Sequence, residues 1–152
     1  MSSTKNPHTA GVIDRARAGQ VSLGALRVAD RIEHLKKLRE AILARSEEII
    51  DRVQAETGKS RSDILMSEIF GTLDSIAWLE ANAESALADE KIATPMTMMG
   101  KKSRIWYQPR GVILIIAPWN YPFFQAIVPI AQALVAGNAV VHKPSEHTPL
   151  EG

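Results

Sequence analysis

The side chains best suited to chemistry lie near the end of the chain, in two short polar clusters that interrupt apolar sequence. The first is Pro118-Trp119-Asn120-Tyr121-Pro122 and the second is Lys143-Pro144-Ser145-Glu146. Asn120 offers an amide donor suited to a carbonyl oxygen that becomes an oxyanion, and removing such a donor from an enzyme typically costs about 3–4 kcal/mol of barrier. Lys143 and Glu146 offer a cation and an acceptor suited to a phosphate or to ribose hydroxyls. Each has an ordinary alternative. Asparagine in a proline-rich turn often satisfies backbone groups, and a Lys/Glu pair three residues apart is commonly a solvated surface pair. His142 and His147 read as structural or solvated, since neither has a visible carboxylate or nucleophile partner.

Composition narrows the setting. A chain of 152 residues, 45% hydrophobic and 23% charged, is that of one globular domain with a buried core. Its 18 basic and 17 acidic residues leave a net charge of +1, so no overall field draws it to nucleic acid or to an anionic membrane. Small-molecule chemistry is the better expectation. The longest apolar run, from Gly111 to Pro118, is far below the roughly 20 residues of a membrane-spanning helix. Met1 to Ala10 lacks the apolar core of a secretory signal, which points to a cytoplasmic setting. The cysteine count is zero, excluding disulfides, thiolate metal sites and cysteine nucleophiles within these residues. The four histidines do not fall at metal-ligand spacing, so no metal site is expected.

The elements that must position Asn120, Lys143 and Glu146 are legible from periodicity. Residues 1–20 read as a flexible N-terminal arm and 21–90 as a helical segment. From about Ala25 to Thr57, Leu35, Leu38, Ile42, Ile49 and Val53 recur at helical spacing, opposite a charged face in which Glu33/Lys37 and Glu48/Arg52 are i,i+4 pairs. Gly58 is a plausible stop, and Ser60 or Ser62 can cap the next helix, whose apolar set is Leu65, Ile69, Leu73 and Ile76, extending to Ala83 and Leu87. Residues 91–110 read as a linker with an edge strand and a strand from Ser103 to Gln108, which together suit either an oligomer contact or a solvent-edged sheet. Val112 to Ala117 is an unbroken β-rich apolar run, the pattern of a parallel strand covered on both faces. A helix from Phe123 to Ala136, a stop at Gly137-Asn138 and a strand from Ala139 to His142 complete a βαβ unit over 111–152. Such a unit brings the loops after both strands to one carboxyl edge, where open α/β sheets bind ligands.

Three runs carry a resemblance: Pro109-Arg110-Gly111-Val112, Ala117 through Pro122, and Ala136-Gly137-Asn138-Ala139-Val140-Val141-His142-Lys143-Pro144-Ser145-Glu146-His147-Thr148-Pro149. In order and spacing they resemble the aldehyde dehydrogenase superfamily, and a weaker likeness runs back through Glu56-Thr57-Gly58-Lys59 to about Arg31. The resemblance implies an α/β fold comprising N-terminal amphipathic helices, a β-hairpin-like oligomerisation element to which about Met96 to Gln108 belong, and the first βαβ unit of a Rossmann-like domain. It implies NAD or NADP as cofactor, an aldehyde substrate in a full-length relative, and association into homo-oligomers. By the same resemblance Asn120 is similar to the oxyanion-hole amide. Lys143 and Glu146 are similar to residues that contact the adenosine ribose, and Ile116, Ala117, Pro118 and Trp119 would line the cofactor's path. In the family a cysteine thiolate attacks the aldehyde and a glutamate activates water. Neither that cysteine nor the family's later glycine-containing cofactor segment is found here, so these residues alone are expected to be inactive and their sheet edges prone to association. The alternative is a non-enzymatic module that binds a partner through its helices or its partial nucleotide fold.

Overall fold

The computed structural model describes residues 7–149. Its first element corrects the expectation of a flexible arm over residues 1–20: Pro7–Ala25 is a helix, α1, while residues 1–6 lie outside the described residues. The apolar residues of α1 are not gathered on one face, which hides it from periodicity. Its helicity is supported by docking, because α1 packs across the sheet of the βαβ unit and Gln20 Nε2 donates to Gly137 O at 3.2 Å.

The single helix expected between Ala25 and Thr57 is two. α2 spans Val28–Ala44 and α3 spans Ser46–Thr57, separated by Arg45 at φ −112°. The apolar stripe survives the break: Ile32, Leu35 and Ile42 of α2 and Ile50 and Val53 of α3 are all buried in one core. Gly58 ends α3 at φ 71°, a left-handed conformation open to glycine without penalty. Of the two charged pairs, Glu48–Arg52 forms at 2.8 Å, whereas Glu33 pairs with Lys36 rather than Lys37.

Ser60 Oγ accepts from Asp63 N at 3.2 Å and starts α4, Arg61–Ile64. The chain continues through a π-helical stretch, Leu65–Phe70, into α5, Gly71–Ala86. Ile64, Glu68, Thr72 and Ile76, each four apart, are all wholly buried. Of the expected apolar set Ile76 lies on this line; beside it Ile69 and Ala83 are buried, Leu65 and Leu73 only partly.

Two small sheets follow. β1 (Glu90–Ile92) pairs antiparallel with β2 (Ser103–Ile105), and the second strand is shorter than the expected Ser103 to Gln108 because its partner offers only three residues. β3 (Val112–Ile116) pairs in parallel with β4 (Ala139–Lys143), from Val112 opposite Ala139 to Ile116 opposite Lys143. The crossover is α6, Pro122–Val135, which also packs on α5. At Gly137, φ is 85° and an added Cβ would lie 2.2 Å from Arg31 Nη1, so this turn requires glycine. β3 is not covered on both faces as its composition suggested: Ile115 is buried, but Leu114 and Ile116 are 60% and 65% exposed. An apolar run records that both faces avoid water; the described residues cover only one. Among them no helix is long and apolar enough to cross a membrane.

Candidate cofactor and oxyanion site

The parallel register sets the geometry. Ile116 is paired with Lys143 and Ala117 N donates to Lys143 O at 3.2 Å, so the Pro118 to Tyr121 loop and the Pro144 to Thr148 segment leave the sheet side by side. The sequence-predicted residues Ile116, Ala117, Pro118, Trp119, Asn120, Lys143 and Glu146 therefore share one carboxyl edge. Ala117 is buried there, and the other six are exposed.

Asn120 stands just before α6. Its Oδ1 accepts from Gln125 Nε2 at 3.4 Å, and among the described residues no hydrogen bond engages its Nδ2. With its oxygen held, the amide nitrogen is the end left to donate. Lys143 Nζ reaches Pro144 O at 3.0 Å and Glu146 Oε2 at 3.4 Å, a loose pair with both side chains in solvent. Glu146's own backbone amide, and then Lys143, hold its carboxyl below the usual glutamate range. The loop that carries Glu146 is anchored by buried Ser145 and Thr148: Ser145 Oγ accepts from His147 N and Ser145 O from Thr148 N, each at 3.2 Å. His142 faces inward, with Nε2 buried and unpartnered among the described residues, and burial pushes its pKa down. Neither it nor His147 reaches the exposed cluster through any hydrogen bond from its ring.

Two side chains beside this edge were not singled out from the sequence. Glu68, wholly buried, accepts from Phe123 N at 2.9 Å and Phe124 N at 3.2 Å, the first donors of α6. Lys59 Nζ bonds the same carboxylate at 2.8 Å and lies 3.7 Å from the centroid of the Tyr121 ring. The available signal was register: Glu68 falls four residues after Ile64 and eight before Ile76, on a line that is otherwise buried. Among the described residues no group of three His, Cys, Asp or Glu can hold a metal ion.

Comparison with known proteins settles the ancestry of this arrangement. The model of the aldehyde dehydrogenase family matches residues 2–152. The chain belongs to the aldehyde dehydrogenase family. Among its relatives, 4,4'-diapolycopene aldehyde oxidase of Methylomonas is 33% identical over 135 residues, which cover 88% of this chain and 26% of that protein. The 4,4'-diaponeurosporen-aldehyde dehydrogenase of Staphylococcus aureus is 36% identical over 122 residues, 80% of this chain and 27% of that protein. A substrate-bound structure of Staphylococcus aureus AldH superposes with a TM-score of 0.88 at 32% identity, over 97% of this chain and 32% of that one. The chain thus carries the N-terminal portion of the family's fold, and spans about a quarter of the length of these curated relatives. Aldehyde dehydrogenases as a family use NAD(P).

Proposed function

We propose that this chain supplies the oxyanion-holding amide and the cofactor-ribose contacts of an NAD(P)-dependent aldehyde dehydrogenase, which oxidises an aldehyde to a carboxylic acid. The observation that carries the reading is the Ile116–Lys143 register, which joins both polar clusters at one edge. Asn120 would donate its Nδ2 hydrogen to the aldehyde oxygen as negative charge grows there, an interaction stronger in the transition state than in the ground state. Lys143 and Glu146 would re-pair from each other to the hydroxyls of the adenosine ribose, which their loose 3.4 Å contact permits. Ile116, Ala117, Pro118 and Trp119 would flank the cofactor; the exposed apolar surfaces of Ile116 and Trp119 are the kind a flat heteroaromatic ligand covers. The donor set fits such a ligand, and NAD(P)+, when bound, supplies the hydride acceptor.

The 152 residues contain no cysteine, so they offer no thiolate for the covalent route, and turnover by this chain alone is not expected. A cytoplasmic setting accords with a chain without disulfides. The β1–β2 hairpin, with Met96, Met99 and Trp106 largely exposed, is the candidate surface for homo-oligomer contact. The ligand reading is tested by titrating the chain with NAD and NADP while following tryptophan fluorescence, with Trp119→Phe identifying the responding residue. Lys143→Ala and Glu146→Ala should each weaken binding by roughly tenfold, the scale of one lost hydrogen bond to a charged group. Affinity unchanged in both variants would refute the ribose roles.

A further inference from the structure

The N-terminus of α6 has an unusual problem. Tyr121 precedes it and makes no side-chain cap, and Pro122 occupies the first turn without an N–H. The first donors that need partners are therefore Phe123 N and Phe124 N, and both find the Glu68 carboxylate, 55 and 56 residues away. A negative charge at this position is doubly favoured, by the two hydrogen bonds and by the positive end of the helix. It is also confined: Glu68 is wholly buried, and a buried carboxylate is tolerated only when paired and hydrogen-bonded. Lys59 provides the pairing through Glu68 Oε1, while its ammonium rests on the ring of Tyr121, the residue after Asn120. Glu68 itself stands in the π-helical stretch Leu65–Phe70, a local departure from α-geometry that recurs at functional sites.

We propose that Glu68, held by Lys59, is a positioning residue for the Asn120 loop: it caps α6 from across the molecule and fixes where the Asn120 amide stands. An asparagine in a loop between two prolines has no strand or helix of its own to hold it. Its main-chain neighbours on the helical side, Tyr121, Phe123 and Phe124, are all clamped by the Lys59–Glu68 pair, and Gln125, which accepts no such clamp, holds the Asn120 oxygen from within α6. The pair thus ties the helical layer to the proposed oxyanion donor. The catalytic meaning rests on the oxyanion reading of Asn120; the clamp itself does not.

The test is amide hydrogen exchange and the side-chain spectrum of the full 152-residue chain, recorded by nuclear magnetic resonance without aldehyde or cofactor. In Glu68→Gln, which keeps an acceptor but drops the charge, exchange at Phe123 and Phe124 should quicken by roughly tenfold. In Glu68→Ala it should quicken by roughly a hundredfold, so the conservative variant rescues in part. The Asn120 side-chain amide and Trp119 indole resonances should shift or broaden in both, while amides of Leu35 and Val53 keep their exchange rates. A merely structural role would instead speed exchange throughout the helical core. If Glu68→Ala does not fold, Glu68→Gln and Lys59→Met decide, Lys59→Met moving the same resonances in the same direction. Unchanged Phe123, Phe124 and Asn120 signals in the folded variants, or a uniform loss of protection, would overturn the proposal. A failed cofactor titration would leave it standing, and failure here would leave the ribose reading standing.

Discussion

The helical layer and the parallel sheet of this chain solve the same burial problem to different degrees. In the helices, the apolar stripes of α2, α3 and α5 face one another, and Leu35, Val53, Ile64 and Ile76 are at most 2% exposed. In the sheet, α1 and α6 pack on the strands and Ile115 is buried, yet its neighbours Leu114 and Ile116 remain largely in solvent. Every residue of β3 is apolar, whereas α2 and α3 are rich in charge, so content alone does not decide burial. What differs is whether the facing surface belongs to the described residues. The carboxyl edge of the half-covered sheet is also the one that carries Asn120, Lys143 and Glu146.

The sharpest way to break the comparison is to remove the same bulk from each region. Ile76→Ala should destabilise the chain by about 2–5 kcal/mol, the transfer loss plus a cavity that the packed helices cannot close. Ile116→Ala should change stability by roughly 0.5 kcal/mol or less, as for an exposed substitution. Its larger effect should be on association: uncovered apolar area on the sheet drives self-contact, so the variant should sediment with a weaker concentration dependence than the unaltered chain. Urea midpoints for the first and sedimentation velocity for the second check both halves. Equal destabilisation would mean that the exposed face of β3 contributes to the fold in a way its solvent contact conceals.

How far each region was legible follows from the same contrast. Periodicity found Leu35, Ile42, Val53 and Ile76 because a one-sided stripe is a local signal. It missed the break at Arg45, across which the stripe simply continues on α3, and it missed α1, whose apolar residues form no one-sided stripe. Glu68 was passed over because a carboxylate in a helical pattern reads as solvated, and only the α6 donors, more than fifty residues distant, make its burial tolerable. The βαβ unit was legible from Gly137-Asn138 and the two flanking β-rich runs, and so was the edge shared by Asn120, Lys143 and Glu146. The one-sided cover of β3 was not, since a run of β-branched residues carries no record of which face has a neighbour.

The junction between the regions should yield an intermediate effect. Gly137 closes α6, accepts from Gln20 of α1 and lies against Arg31 of α2, so it is where the helices meet the sheet. Gly137→Ala would impose a side chain at φ 85° and press it against the Arg31 guanidinium, with about 1–3 kcal/mol of backbone strain expected. Shortening the nearer opposing side chain in Gly137→Ala/Arg31→Ala should recover the part due to the guanidinium and leave the part due to φ and to Pro109 Cγ, which an added Cβ would approach to 2.8 Å. A double variant no more stable than the single one would place the cost in the backbone and the Pro109 contact rather than in Arg31.

The smallest expected effect belongs to the sheet and appears only with pH. His142 lies opposite Ile115 in β4, and burial lowers its pKa from the ordinary value near 6.5. In the unfolded chain the imidazole takes up a proton at that ordinary value, whereas in the fold it resists until the pH is lower. Stability should therefore be fully present above about pH 6.5 and decline as the pH falls from there toward the lowered folded value, below which the loss is complete. The direction is opposite to that of a histidine gaining an anionic partner. Urea midpoints collected between pH 8 and 5 should show this decline in the unaltered chain, and His142→Leu should flatten that part of the profile, leaving the slope that carboxylates add at lower pH. If the variant keeps the same slope through this window, the buried Nε2 is not what makes the sheet acid-sensitive, and the covered face that His142 shares with Ile115 must admit enough water to charge the imidazole at little cost.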